Sequence, residues 1–263
     1  MPACCIAVNA RVAFRALRAA CRGAGRAPGS RLSIAVAIGQ GGAMCGRFVL
    51  THPNDAMARL FDAAPANDLP AVPRYNICPT QPVAAVLSEA GARRLVPLRW
   101  GFLPAWYKSP SDGPLLINAR AESIAEKPAF REAARARRCL IPATGFYEWT
   151  AGEDGRLPWY IHAADAGPLA MAGVWQTWER DGQRLATCAV VTCAANRALA
   201  ELHHRMPVFV ARPDRALWLG EAGHGAAALM RPAPDAMLAF HRVDPAVNSN
   251  RAGGAGLIAP LAG

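Results

Sequence analysis

From residue 44 onward the chain is a series of short apolar runs, broken by glycine, proline and charged turns. Met44-Cys45-Gly46-Arg47-Phe48-Val49-Leu50 predicts a short strand over residues 45–50. Thr51-His52-Pro53-Asn54-Asp55 is a helix start with proline in its first turn, and the helical pattern runs to about Phe61. A proline-rich loop is expected over residues 65–82. Residues 83–87 and 94–103 predict strands joined by a turn at Ser88-Glu89-Ala90-Gly91, and residues 128–137 a helix. Closely spaced strand patterns follow at 139–141, 146–149, 158–162, 169–178 and 185–192. Glu153-Asp154-Gly155 and Arg180-Asp181-Gly182 fall between them as hairpin turns. Strands that follow one another this closely pair antiparallel, so the fold class is α+β, a largely antiparallel sheet with a few covering helices. There is no alternating strand–helix rhythm, internal repeat or glycine-rich phosphate loop, so a dinucleotide-binding fold is excluded.

Composition agrees with a packed globular chain. Of 263 residues, 52% are hydrophobic and 18% charged, enough for one large core and unlike a disordered or fibrous protein. The longest apolar run, residues 32–39, is under half of the roughly 20 residues a membrane helix requires. A soluble protein without a membrane partner is expected. Eight cysteines without a CxxC pair read as reduced thiols of an intracellular protein. Cys78, Cys139, Cys188 and Cys193 have no partners at metal-ligand spacing and read as core; Cys193 with His203 and His204 makes an unconvincing zinc set, so no metal and no cofactor is expected.

The charge needs dissecting. Twenty-nine Lys and Arg against nineteen Asp and Glu give +10, a balance that favours a polyanionic partner. Six of those charges, Arg11, Arg15, Arg18, Arg22, Arg26 and Arg31, lie in residues 1–43, which contain no acid; residues 44–263 carry only +4. This leader ends in Gly39-Gln40-Gly41-Gly42-Ala43. It has the character of an Arg-rich presequence or of upstream sequence translated from an incorrect start. A domain over residues 44–250 is expected, followed by a loose tail over 251–263 in which Leu257-Ile258 could dock on the sheet.

Four segments mix polar and aromatic residues more densely than core burial explains. They are Met44-Cys45-Gly46-Arg47-Phe48; Arg99-Trp100-Gly101-Phe102-Leu103-Pro104-Ala105-Trp106 with Ile117-Asn118-Ala119-Arg120-Ala121-Glu122; Gly145-Phe146-Tyr147-Glu148-Trp149; and Leu202-His203-His204-Arg205-Met206-Pro207. In this order they resemble the SRAP (SOS-response-associated peptidase) family of abasic-site processing proteins, over about 220 residues from Met44. The resemblance implies catalytic roles for Cys45, Asn118, Glu148 and His203, a barrel-like α+β fold with a positive channel, and single-stranded DNA containing abasic sites as partner. It also implies a monomeric, cytoplasmic and nucleoid-associated bacterial protein of the DNA damage response.

The chemistry can be checked on its own terms. An abasic sugar opens to an aldehyde, and an amine condenses with it to an imine. A cysteine at the chain terminus then adds its thiol to the imine carbon and closes a thiazolidine. An internal cysteine lacks the amine. The α-amine, with a pKa of roughly 7.7 to 8.0, supplies a neutral fraction that lysine at about 10.4 does not. The working chain is therefore expected to begin at Cys45, by a start at Met44 or by cleavage. Glu148 and His203 suit the proton transfers of ring opening and imine formation, and Asn118 suits orientation of the sugar or phosphate. Arg47, Arg120 and Arg205 are expected at phosphates, and Trp100 and Trp106 beside unstacked bases. Trp159, Trp175, Trp178 and Trp218 read as core or rim, and Arg131, Arg135, Arg137 and Arg138 as a solvated helix face. Two other functions remain open: a thiol peptidase using Cys45, His203 and Glu148, and a non-covalent single-stranded DNA-binding protein.

Overall fold

The structure is a computed structural model that describes residues 46–153 and 155–261; the leader over 1–43, Cys45 and Asp154 lie outside the described residues. The elements in chain order are β1 (Phe48–Leu50), α1 (Asn54–Leu60), β2 (Ala63–Pro65), β3 (Arg74–Ile77), β4 (Pro82–Glu89), β5 (Ala92–Trp100), β6 (Asn118–Arg120), α2 (Arg131–Ala136) and β7 (Arg138–Ala143). They continue with β8 (Gly145–Gly152), β9 (Gly155–Ala163), β10 (Leu169–Arg180), β11 (Gln183–Ala194), β12 (Arg205–Pro207), α3 (Arg215–Leu219) and β13 (Leu238–Arg242).

Five strands close on themselves. β5, β4, β7, β10 and β11 pair antiparallel in that order, and β11 returns to β5 in parallel through Thr187↔Arg99 and Cys188↔Trp100. The barrel is therefore almost wholly antiparallel, as the closely spaced strand patterns predict, with one parallel seam. Its two tight hairpins owe their geometry to Ala90-Gly91 and Asp181-Gly182, all four at positive φ, the primed-turn conformation whose twist matches paired strands. Leu140, Ile141, Met171, Val174 and Val190 on its strands are buried, on both faces of the wall. The interior is filled: a Cβ added at Gly173 would lie 2.7 Å from the Cys139 sulfur.

A second sheet, in the order β13-β9-β8-β1-β3, stands beside the barrel. One face of β8 carries Tyr147, which packs with Tyr160, Val243, Val247 and Leu257. Phe146 lies on the other face and belongs to the main core with Phe48 and the barrel residues. Two further strands extend β11 beyond the barrel: β6 runs parallel to it (Val190↔Asn118, Thr192↔Arg120) and β12 antiparallel (Thr192↔Pro207, Ala194↔Arg205). Among the described residues no helix is long and apolar enough to cross a membrane.

Three expectations change. The loop over 65–82 contains β3, whose Arg-Tyr-Asn-Ile sequence offers little alternation but whose backbone completes the sheet edge beside β1. The strand predicted to Leu103 ends at Trp100, because Gly101 at φ 134° turns the chain out of the barrel wall. The tail beyond Asn250 is docked rather than loose: Leu257 is buried against the second core, and Leu261 N–H donates to Arg242 O at 2.9 Å. Asn76 holds the segment further by donating to Ser249 O and Ala252 O.

Candidate functional site

The polar segments meet where the second sheet faces the β6–β11–β12 extension. β1 and β8 are in register through Phe48↔Phe146 and Val49↔Gly145, and Tyr147 N–H donates to Arg47 O at 3.0 Å. Continuing that register two residues sets Gly46, the first described residue, opposite Glu148. Strand alternation puts Glu148 on the Phe146 face, away from Tyr147. Phe146 approaches Phe209, just past β12, with ring centroids 6.2 Å apart, so this face looks toward the β12 region. Glu148 is 3% exposed. It pairs across β8–β9 with Trp159, whose indole N–H donates to Thr150 Oγ1 at 3.0 Å.

Asn118 opens β6 next to Val190, half-buried. His203 follows a single 3-10 turn (Leu199–Glu201) and precedes β12. Its Nδ1 lies 3.1 Å from the Arg205 N, whose N–H can donate to it, and 3.3 Å from the Arg205 O, to which a protonated Nδ1 donates. Burial pushes its pKa below the ordinary histidine value; the hydrogen bond to the Arg205 carbonyl opposes this, and His204, Arg205 and Arg156 add to it. His204 stacks at 4.3 Å between centroids but remains exposed, which distinguishes two neighbours the sequence leaves equivalent.

The expected DNA-contacting residues divide by their surroundings. Arg120 is exposed and makes no ion pair among the described residues. Arg47 is anchored: Nη1 donates to Asn76 Oδ1 at 2.9 Å and Val247 O at 2.8 Å, with Nη2 3.4 Å from Asn248 O. These acceptors are neutral, and strand alternation puts Arg47 with Val49 on the Tyr147 face, opposite to Glu148. Arg205 is different. Its Nη1 lies 2.7 Å from Glu122 Oε1 and its Nη2 donates to Thr192 O at 2.7 Å, so its charge is neutralised and its fork ties β12 to β11 and to the residue after β6. The free phosphate contact expected of Arg205 is corrected to a brace that also fixes His203 through the backbone. Trp100 is likewise corrected. It is 1% exposed, its indole N–H donates to Ile117 O at 3.0 Å, and its ring packs edge-on against Phe48, leaving no face for a base. Trp106 is 55% exposed and can offer one.

Sequence reasoning missed two neighbours. Arg156, next to the Glu153-Asp154-Gly155 turn, was given no role, yet its guanidinium lies 5.1 Å from the Trp149 ring centre and its charge reaches His203. A basic residue immediately after a turn beside a tryptophan strand was the available signal. Glu122 was noticed in the Asn-Ala-Arg segment without a role. Cys78, Cys139, Cys188 and Cys193 are buried free thiols, as their spacing suggests, and burial raises all four pKa values, Cys193 to about 11.

The Arg205 guanidinium holds the Glu122 carboxyl below the usual carboxylate range. An acid with a depressed folded pKa stabilises above its unfolded value and loses that contribution as pH falls through the folded one. Glu122 is 55% exposed on its side chain, so the contribution is screened to at most about 1 kcal/mol. Glu122→Gln is expected to lower the unfolding free energy from urea titration at pH 7 by up to that amount, and the difference from the parent should shrink below about pH 4. An undiminished difference at low pH would show that the carboxylate charge is not its source.

The chain is similar to known proteins. Residues 44–250 match the family described as SOS response associated peptidase (SRAP). The abasic site processing protein YoaM of Bacillus subtilis is 38% identical over 181 residues, covering 67% of this chain and 79% of that protein. YedK of Escherichia coli, also an abasic site processing protein, is 30% identical over 226 residues, 83% of this chain and all of its own length. The rat protein HMCES, of the same description, is 29% identical and covers 79% of this chain and 73% of its own. A crystal structure of a Bacteroides thetaiotaomicron protein superposes with a TM-score of 0.74 at 22% identity, over 83% of this chain and all of that one, which shows the shared fold. With the family match spanning most of the sequence and every polar segment of the site inside it, the chain belongs to the SRAP family.

Proposed function

We propose that this protein processes abasic sites in single-stranded DNA by forming a thiazolidine between a chain-terminal Cys45 and the sugar aldehyde. The observation that carries the reading is the β1–β8 register. It sets Gly46, one peptide bond from Cys45, opposite the buried Glu148 on the face turned toward the β12 region. The abasic site processing relatives support the substrate class.

In the proposed reaction the neutral α-amine of Cys45 attacks C1′ of the open sugar, water leaves, and an imine forms. The thiol sulfur then bonds to that carbon, its proton passes to nitrogen, and the five-membered ring closes. Glu148 shuttles protons between the amine and the departing oxygen. His203 donates a proton to a sugar oxygen as the ring opens. Asn118 orients the sugar or its neighbouring phosphate. Arg47 and Arg120 contribute positive charge for the DNA backbone, and Trp106 a face for a base.

The test is a denaturing gel of the chain lacking residues 1–44 incubated with an oligonucleotide bearing one abasic site. A shifted band, absent with Cys45→Ala, is expected. Binding without a shift would favour a non-covalent single-strand binder, and cleavage of a peptide in trans would favour a thiol peptidase; either result without an adduct overturns the proposal.

A further inference from the structure

The far end of the barrel carries a cleft that the proposed crosslinking does not use. It opens where the β4–β5 turn, the start of β7 and the ends of α2 and α3 come together. Along β7 this is five residues, about 17 Å, from the end that meets β1. One lobe of about 1120 Å³ is polar, with Arg93, Glu221 and Asp62 on its wall. A second lobe of about 450 Å³ is largely apolar, lined by Ile124, Ala134, Ala226 and Met230. Arg138 and Arg135 border both lobes.

The charges here do not cancel. Glu221 grips Arg93 at 2.6 Å, with Asp62 at 3.7 Å from the same guanidinium, and Glu132 takes Arg135 at 3.2 Å. Arg131 and Arg138 make no ion pair among the described residues. Arg138 is half-buried, its Nε and Nη1 donating to carbonyls at the ends of α2 and α3: Trp218 O, Ala134 O at 2.9 Å and Arg135 O at 2.6 Å. Its Nη2 makes no hydrogen bond among the described residues. It lies 3.1 Å from the place a Cβ would take on Gly220, a lining residue of the polar lobe. Behind it, Arg215 is 6% exposed and is also without a carboxylate, held by Leu60 O and the face of Phe61. A half-buried guanidinium with one free edge beside an apolar slot is a receptor for an organic anion.

We propose that this cleft is a second ligand site, taking an organic phosphate the size of a nucleoside monophosphate. The phosphate pairs with Arg138 Nη2 and Arg131, and the flat base enters the lobe of Ile124, Ala226 and Met230. The site stands independently of the Cys45 chemistry.

The test is titration calorimetry of deoxyadenosine monophosphate into the full 263-residue chain. Saturable binding is expected. Arg138→Lys, which keeps the charge but loses the planar fork, should weaken it about tenfold, and Ala227→Trp, on the exposed rim of the apolar lobe, should abolish it. Thermal unfolding midpoints of both variants check that they fold; if Arg138→Lys does not, Ala227→Trp alone decides. An oligonucleotide without an abasic site that displaces the nucleotide identifies a DNA strand as the phosphate source. Displacement by inorganic phosphate but not by the oligonucleotide identifies a free organic phosphate. No binding at millimolar nucleotide, or binding unchanged in both variants, overturns the site.

Discussion

A chain that retains residues 1–44 forms no stable adduct with an abasic oligonucleotide, whereas the chain beginning at Cys45 is converted to one. This is the largest effect we expect of any change to the protein, because it turns on the presence of one atom's lone pair. In the longer chain the Cys45 nitrogen is an amide, whose lone pair is delocalised into the carbonyl, and only the thiol can add to the aldehyde. That addition gives a hemithioacetal, which reverses on denaturation. In the shorter chain the same nitrogen is an amine with a pKa of roughly 7.7 to 8.0, so the neutral nucleophile is plentiful at pH 7.5. Cys45→Ser should behave between these limits, forming an imine that disappears unless reduced. The measurement is the fraction of oligonucleotide retained on a denaturing gel, with intact mass confirming which terminus each sample carries. A stable adduct from a chain whose mass includes residues 1–44 would remove the α-amine from the mechanism.

What could be read in the sequence depended on the range of the interaction concerned. The hairpins were legible because two adjacent residues decide each turn: Ala90-Gly91 and Asp181-Gly182 stand where the polarity breaks, and both take positive φ. The β10–β11 pair follows from the second of them. The parallel closure of β11 on β5 was not legible, since its partners are 88 residues apart and no local pattern selects them. β3 escaped notice because an edge strand of four residues with mixed polarity is held by backbone pairing to β1 more than by a buried face. In the site, Glu148 and His203 came from the family resemblance rather than from residue type, since nothing local separates Glu148 from a solvent-facing glutamate or His203 from His204. Arg205 was misread for a physical reason: a guanidinium suits a phosphate and a carboxylate equally well, and only the fold brings Glu122 to it. The net charge of +4 beyond the leader gave no hint of how unevenly it is neutralised, with Arg120 and Arg47 facing no acid while Arg205 faces one and Arg93 two.

The two tryptophans expected to contact DNA should separate cleanly under mutation. Trp100 is a core residue: its ring centre lies 5.1 Å from that of Phe48, and its backbone N–H donates to Gln81 O at 3.0 Å. Trp100→Ala removes a large buried side chain and one of the two hydrogen bonds to the Ile117 carbonyl, which keeps that from Val190 N–H, and is expected to destabilise the fold by about 3–5 kcal/mol. Because Ile117 precedes Asn118, the loss also loosens the start of β6, so adduct formation should slow even in the fraction that remains folded. Trp106 projects from the loop between β5 and β6, more than half exposed. Trp106→Ala should leave stability within about 0.5 kcal/mol while weakening single-stranded DNA binding by about 1–3 kcal/mol, the scale of one lost stacking contact. Urea unfolding and fluorescence anisotropy with an unmodified oligonucleotide read the two effects separately. Comparable affinity in Trp106→Ala and the parent would remove the stacking role, and a Trp100→Ala protein as stable as the parent would contradict the burial on which the correction rests.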